Sequence, residues 1–177
     1  MRETVKIFAF DQWGRIPLVH ERGDPGWEHN DGKKPGWGMS GGGPEGTETP
    51  MQAATRETKE ELGLYAKPKQ ELFSEPAGCN HKVTVFYSGI VDGVLQKESS
   101  ETDDADWFFY DELPEVPGNK FQSIYPAERR RIKKAIEILG LKKELDYLKW
   151  LWQERQGEEA SDGNGETAEV YQREPAG

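Results

Sequence analysis

From Gly42 to Leu64 the chain reads GGPEGTETPMQAATRETKEELGL, and no other stretch constrains it as much. Thr49 is a good helix N-cap, Pro50 suits the first helical position, and Gln52 stands where a capping box needs it. The spacing predicts a helix from about Pro50 to Leu62, stopped by Gly63. On that helix Glu57, Glu60 and Glu61 stand at i, i+3 and i+4, so they share one face, with Arg56 beside them. Like charges at this spacing destabilise an isolated helix, and either bound cations or solvent must offset the repulsion. Hard oxygen donors in such a cluster suit Mg²⁺, with Mn²⁺ as a substitute, rather than zinc. The run Gly41-Gly42-Gly43 just before allows close backbone approach, so its amides and carbonyls can reach phosphate or metal. Taken singly, each feature has an ordinary alternative, because most charged helix faces are simply solvated.

The combination is more specific. Gly42, Glu48, Arg56-Glu57, Glu60-Glu61 and Gly63 occupy all seven fixed positions of G-x5-E-x7-R-E-U-x-E-E-x-G-U, and Leu64 fills the last aliphatic one. With this box the chain resembles the Nudix hydrolases. Thr58 departs from the pattern, where Ile, Leu or Val is usual. Its methyl can still face the core, and its hydroxyl can bond a carbonyl one turn back. Trp37-Gly38-Met39-Ser40-Gly41-Gly42-Gly43 is similar to the family's W-x-x-P-G-G-G lead-in, with Ser40 in place of proline. Trp107 to Pro114 is similar to its W-F-x-x-D-E-L-P exit segment.

The resemblance implies an α/β fold, an α/β/α sandwich around a mixed sheet, with the box as loop–helix–loop and helices closing the chain. It implies metal-dependent hydrolysis of a phosphoanhydride bond in a nucleoside diphosphate linked to another moiety. That substrate class covers nucleoside triphosphates, oxidised nucleotides, ADP-ribose and dinucleoside polyphosphates. Glu57, Glu60 and Glu61 would be metal ligands, with a backbone carbonyl near Gly42. Glu48 would pair with Arg56, which would hold Glu57. A later acid from the loop before Trp107 would complete the site; Glu98, Glu101, Asp103 and Asp104 qualify, and Glu101 is favoured. Two alternatives stand beside catalysis of this kind. One is a non-catalytic ligand-sensing or partner-binding domain. The other is an isomerase of a prenyl diphosphate, for which Cys79 is the only thiol.

Outside the box the chain predicts strands at Val5–Phe10, Ile16–Glu21, Lys82–Val91 and Asp106–Tyr110. A turn is expected at Asp11–Gly14, extended chain over Leu64–Leu72 and one helical turn at Asp111–Leu113. Pro17 points to an edge or a bulge. Arg22–Pro35 reads as a long loop, suited to a lid or binding role. Helices are expected at Ala127–Leu139 and Lys142–Glu154. Residues 1–155 are expected to form the domain. Residues 156–177 hold six acids and one arginine, and their composition predicts a disordered tail.

Trp27, Trp37, Phe86 and Tyr87 are candidates for stacking on a base, with core packing the competing role, favoured for Phe86 and at least one of the tryptophans. Arg129-Arg130-Arg131 can contact phosphate or face solvent. Trp150 and Trp152, two apart, cannot both face one core, which makes a homodimer contact an expectation. The net charge of −10 argues against a nucleic-acid duplex as partner. The longest apolar runs, such as Val83–Tyr87, fall far short of the about 20 residues that cross a bilayer. No secretory h-region is seen at Met1–Thr4, and the lone Cys79 excludes a disulfide framework, so a cytoplasmic setting is expected. His20, His29 and His81 lack zinc-site spacing and are expected to be surface or structural.

Overall fold

The structure, a computed structural model, describes residues 1–26 and 32–162. Six strands and three helices follow in the order β1 (Arg2–Phe10), β2 (Ile16–Glu21), β3 (Gly36–Gly38), α1 (Pro50–Leu62), β4 (Gln70–Pro76), β5 (His81–Ile90), β6 (Thr102–Phe108), α2 (Pro126–Leu139) and α3 (Lys142–Asp162). One sheet has the order β1-β5-β4, with β1 parallel to β5 and β4 antiparallel to it. The other is antiparallel in the order β3-β2-β6. The chain that follows β3 stitches the two together. The Val5 amide donates to the Gly42 carbonyl (2.8 Å) and the Ile7 amide to that of Ser40 (3.2 Å).

The two-residue period of β1 divides the core. Val5, Ile7 and Ala9 face one side and pack with Ala53, Ala54 and Leu62 of α1. Phe8 and Phe10 face the other and pack with Ile132, Ala135 and Ile136 of α2 and Leu145 of α3. Helices thus cover both sheet faces, the expected sandwich.

The strands differ from expectation mainly at their ends. Pairing of β4 starts late, where the Lys69 amide donates to the Tyr87 carbonyl (2.8 Å), because Pro68 has no donor. β6 starts early, at Thr102, since β2 supplies a partner back to Glu21. β3 reaches only Val19–Glu21, so Pro17 lies where β2 is paired on one side, a position that tolerates a missing donor. α3 continues past the expected end at Glu154 to Asp162, with an exposed Arg155–Glu159 pair one turn apart (3.2 Å). The remainder of the expected tail lies outside the described residues.

Candidate active site

α1 is set by local chemistry. The Gln52 amide donates to Thr49 Oγ1 (3.3 Å) and the Thr49 amide to Gln52 Oε1 (2.8 Å), a complete capping box. Gly63 closes the helix in the left-handed conformation at φ 72°. The buried Thr58 hydroxyl donates to the Ala54 carbonyl (2.8 Å), so the departure from an aliphatic residue is satisfied inside the helix.

Arg56 organises the exposed half of the carboxylate face. Its Nε donates to Glu48 Oε1 (3.1 Å), and Nη2 to Glu48 Oε2 (3.1 Å) and to the Gly43 carbonyl (3.0 Å). Nη1 donates to Glu57 (3.0 Å) and Glu60 (2.9 Å). The bonds to Glu48 are the main reason the guanidinium binds its proton still more firmly, and the same bonds hold Glu48 below the usual carboxylate range.

The inner half belongs to Glu61, which is 6% exposed. The Gly41 amide donates to its Oε2 (2.9 Å). Burial pushes Glu61 up, and the charge of Glu101 adds to this; Lys6, the Gly41 amide and the Ser40 hydroxyl oppose it. Burial likewise raises Glu57, helped by the charges of Glu61 and Glu60 and opposed by Arg56. Two glycines make this packing possible. A Cβ at Gly41, whose φ is +152°, would collide with the Val5 carbonyl, and a Cβ at Gly42 would collide with the Glu57 carboxylate.

A cleft of about 790 Å³ opens nearby, lined by Arg2, Glu21, Arg22, Lys33 and Glu101 among others. Glu101 is the loop acid on this cleft. Asp103 is engaged by His20 Nδ1 (2.5 Å) and Asp104 by Lys97 (3.3 Å). Among the described residues no three acidic, histidine or cysteine side chains converge into a ready-made cage. Mg²⁺ does not need one, since it commonly takes one or two carboxylates and fills its shell with water and substrate phosphates. The donor set fits such an ion: hard carboxylate oxygens on one helix face that repel one another.

Residues 1–128 match the family model for the NUDIX domain. The chain belongs to the Nudix family. It is 30% identical over 98 residues to the NAD-capped RNA hydrolase NudC of Deinococcus radiodurans, a match covering 55% of this chain and 33% of that protein. It is 37% identical over 71 residues to the NudC of Edwardsiella ictaluri, covering 40% of this chain and 28% of that one. The matched segments therefore span a third or less of these relatives. Among solved structures, the MutT Nudix hydrolase of Burkholderia pseudomallei superposes with a TM-score of 0.56 at 21% identity, covering 75% of this chain and 96% of that one. An ADP-ribose pyrophosphatase of Streptococcus suis gives 0.57 at 19%, covering 77% and 90%. These two likenesses concern the fold.

Around the Nudix box the structure adds residues that the sequence pattern did not single out. Lys6, 7% exposed inside the apolar run of β1, donates to the Met39 carbonyl (2.8 Å) and lies 3.7 Å from Glu21. Glu21 also pairs with Lys33, whose ammonium is pulled down by burial and by Lys6. Glu128 at the start of α2 accepts from the Met39 amide (3.1 Å) and is clamped by Arg131 (2.5 Å). A lysine within a strand's apolar run was the available signal.

The aromatic candidates among the described residues are not gathered at the carboxylates. Trp27 lies outside the described residues, as does His29. Trp37 is 7% exposed and edge-on between His20 (5.3 Å) and Phe108 (5.1 Å), a core position. Tyr87 stacks on Phe8 and Phe10 on the sheet face away from α1, while Phe86 is buried on the α1 side. His81 pairs with Thr4 (2.9 Å), and Cys79 is exposed in the turn between β4 and β5. No helix among the described residues is long and apolar enough to cross a membrane.

Proposed function

We propose that this Nudix chain hydrolyses a phosphoanhydride bond in a nucleoside diphosphate linked to a second moiety, with Mg²⁺ or Mn²⁺ as its cofactor. The observation that carries this reading is the buried Glu61 and half-buried Glu57 held against the glycine loop. Glu57, Glu60 and Glu61 would hold the metal, with Glu101 and the carbonyls of the Gly42 loop at its edge. A bound Mg²⁺ supplies a Lewis acid for the phosphoryl oxygens and a lower pKa for a bound water. The protein's own part is positioning. Arg56 keeps Glu57 and Glu60 aimed, and Glu48 keeps Arg56 in place. The Gly41 amide fixes one oxygen of Glu61. Arg2, Arg22 and Lys33 on the cleft wall offer cations to a polyphosphate.

The activity of the two NudC relatives, on NAD-capped RNA, favours a dinucleotide pyrophosphate within this class. An acidic chain does not favour a duplex. Cys79 is exposed in the turn between β4 and β5 and lends no support to prenyl isomerisation, and the complete box speaks for catalysis over sensing. A cytoplasmic setting remains part of this reading. Homodimerisation through Tyr147 and Trp150, exposed and stacked at 5.9 Å, is a secondary proposal that light scattering at high concentration tests.

The deciding experiment measures release of phosphate or nucleoside monophosphate from a panel of nucleoside triphosphates, oxidised nucleotides, ADP-ribose, dinucleoside polyphosphates and NAD-capped RNA. Each is run with Mg²⁺ and with chelator. Metal-dependent release that Glu61→Gln lowers by roughly 10²–10³-fold without loss of fold supports the assignment. Equal turnover in Glu61→Gln, with wild-type melting, overturns it.

A further inference from the structure

Met39 stands between the end of β3 and the glycine loop, and it is fully buried. Both of its main-chain groups are taken by charged side chains. The Lys6 ammonium, from β1, donates to its carbonyl (2.8 Å), and Glu128 Oε2, from α2, accepts from its amide (3.1 Å). These two charges are themselves sunk in the protein, Lys6 at 7% exposure and Glu128 at 4%. Each is backed by a counter-charge. Glu21 of β2 stands 3.7 Å from Lys6. Arg131 donates through Nη1 to the other oxygen of Glu128 (2.5 Å), while its Nε donates to Glu75 of β4 (2.8 Å).

Stability alone is a poor reason for this arrangement. Desolvating a buried ion pair can cost as much as the pair returns, and apolar residues of similar volume often serve a fold as well. Phe8, next along the same face of β1, is apolar and fully buried, so the site of Lys6 does not call for a charge. What the charges hold is more informative. Two residues past Met39, the Gly41 amide donates to Glu61 Oε2 (2.9 Å). Between and beyond them, the Ile7 amide donates to the Ser40 carbonyl and the Val5 amide to that of Gly42. Glu61 comes to this segment from α1, whereas Glu128 and Arg131 come to it from α2 on the other sheet face. The charge of Lys6 is also felt at Glu61, where it favours the ionised form.

We propose that Lys6 and Glu128 are positioning residues for Glu61: gripping Met39 by its carbonyl and its amide, they fix the glycine loop at the height from which Gly41 aims the carboxylate at a metal ion. Arg131 acts one step further out, by holding Glu128. The proposal rests on the reading of Glu61 as a metal ligand.

The test reads metal binding rather than turnover, with Mn²⁺ titrated into the full chain and the free ion followed by electron paramagnetic resonance. Wild type binds Mn²⁺. Lys6→Met removes the donor while keeping an unbranched side chain, and it weakens that affinity by about tenfold or more. Glu128→Leu made together with Arg131→Met does the same, although it removes the buried pair whole and leaves the fold intact in urea. Glu128→Gln with Arg131→Met returns an acceptor to the Met39 amide and restores the affinity, which a packing role would not do. Unchanged Mn²⁺ affinity in either weakened variant, or no restoration by glutamine, overturns the proposal. Hydrogen exchange in wild type gives a check that needs no variant. The Met39 amide is protected at least as well as that of Gly41, and free exchange at Met39 beside a protected Gly41 overturns the proposal too. Wild type that binds no Mn²⁺ overturns the metal-ligand reading and the proposal with it, whereas bound metal with indifferent variants overturns the proposal alone.

Discussion

α1 and α3 carry similar charge runs, KEEL in one and ERQGEE in the other, yet they do opposite things. On α1 the carboxylates turn inward. Glu61 is buried against the glycine loop, and Glu57 and Glu60 share one guanidinium with Glu48. On α3 they turn outward. Lys142–Asp146 and Arg155–Glu159 are exposed pairs one turn apart, of a kind that contributes little to stability. α3 is anchored by Leu145, by Trp152 edge-on to Phe109 (5.4 Å) and by Lys149 reaching Asp111 and Glu112. The difference lies in what each carboxylate is tied to. A charge that α1 buries costs stability unless a cation or substrate answers it, whereas α3 leaves its charges to water.

Substitutions sharpen this contrast. The largest expected effect is on turnover. Glu57→Gln keeps the side chain's shape and removes its charge, so kcat/KM falls by roughly 10²–10³-fold. Because burial and repulsion from Glu61 and Glu60 disfavour the charged form of Glu57, thermal stability does not fall with it. A stability loss matching the activity loss would mean that Glu57 only holds the fold. Leu145→Ala is the reverse case. The side chain is 1% exposed and packs on the sheet face opposite α1, so unfolding in urea shows a loss of about 2–5 kcal/mol. The kcat/KM of the folded fraction stays at the wild-type value. A drop there would couple α3 to the carboxylate site and end the distinction.

α1 was legible in the sequence because its determinants are local. The caps Thr49, Gln52 and Gly63 and the register of the three glutamates all lie within one helix and its entry loop, whereas the Glu48–Arg56 pairing came with the resemblance. The sandwich was legible from alternation in β1 and from the resemblance. The ion network of Lys6, Glu21 and Lys33 was not, because only strand pairing brings those positions together. Nor was the core role of Trp37, which depends on His20 and Phe108 from two other strands. The end of α3 differs for another reason: the composition of residues 156–177 predicts disorder, yet the helix runs on through Gly157, which costs about 1 kcal/mol in a helix interior, to Asp162.

Arg56→Lys probes the middle of the scale. A lysine keeps the charge, but its point-like ammonium cannot give Glu48, Glu57, Glu60 and the Gly43 carbonyl the forked bonds they now share. A positioning role predicts a 10–100-fold fall in kcat/KM, with more Mg²⁺ restoring part of it, so the Mg²⁺ concentration for half-activation rises. A purely structural role would leave that concentration unmoved.

Trp150→Ser sets the floor. Trp150 is 51% exposed and stacked on the equally open Tyr147. For the monomer the change shifts unfolding free energy by no more than about 0.5 kcal/mol and leaves turnover alone. If the aromatic pair instead joins two copies of the chain, the same substitution lowers the mass seen in light scattering and makes Tm depend less on protein concentration. The outward face of α3 would then be as specific as the inward face of α1, with an apolar contact in place of a cation.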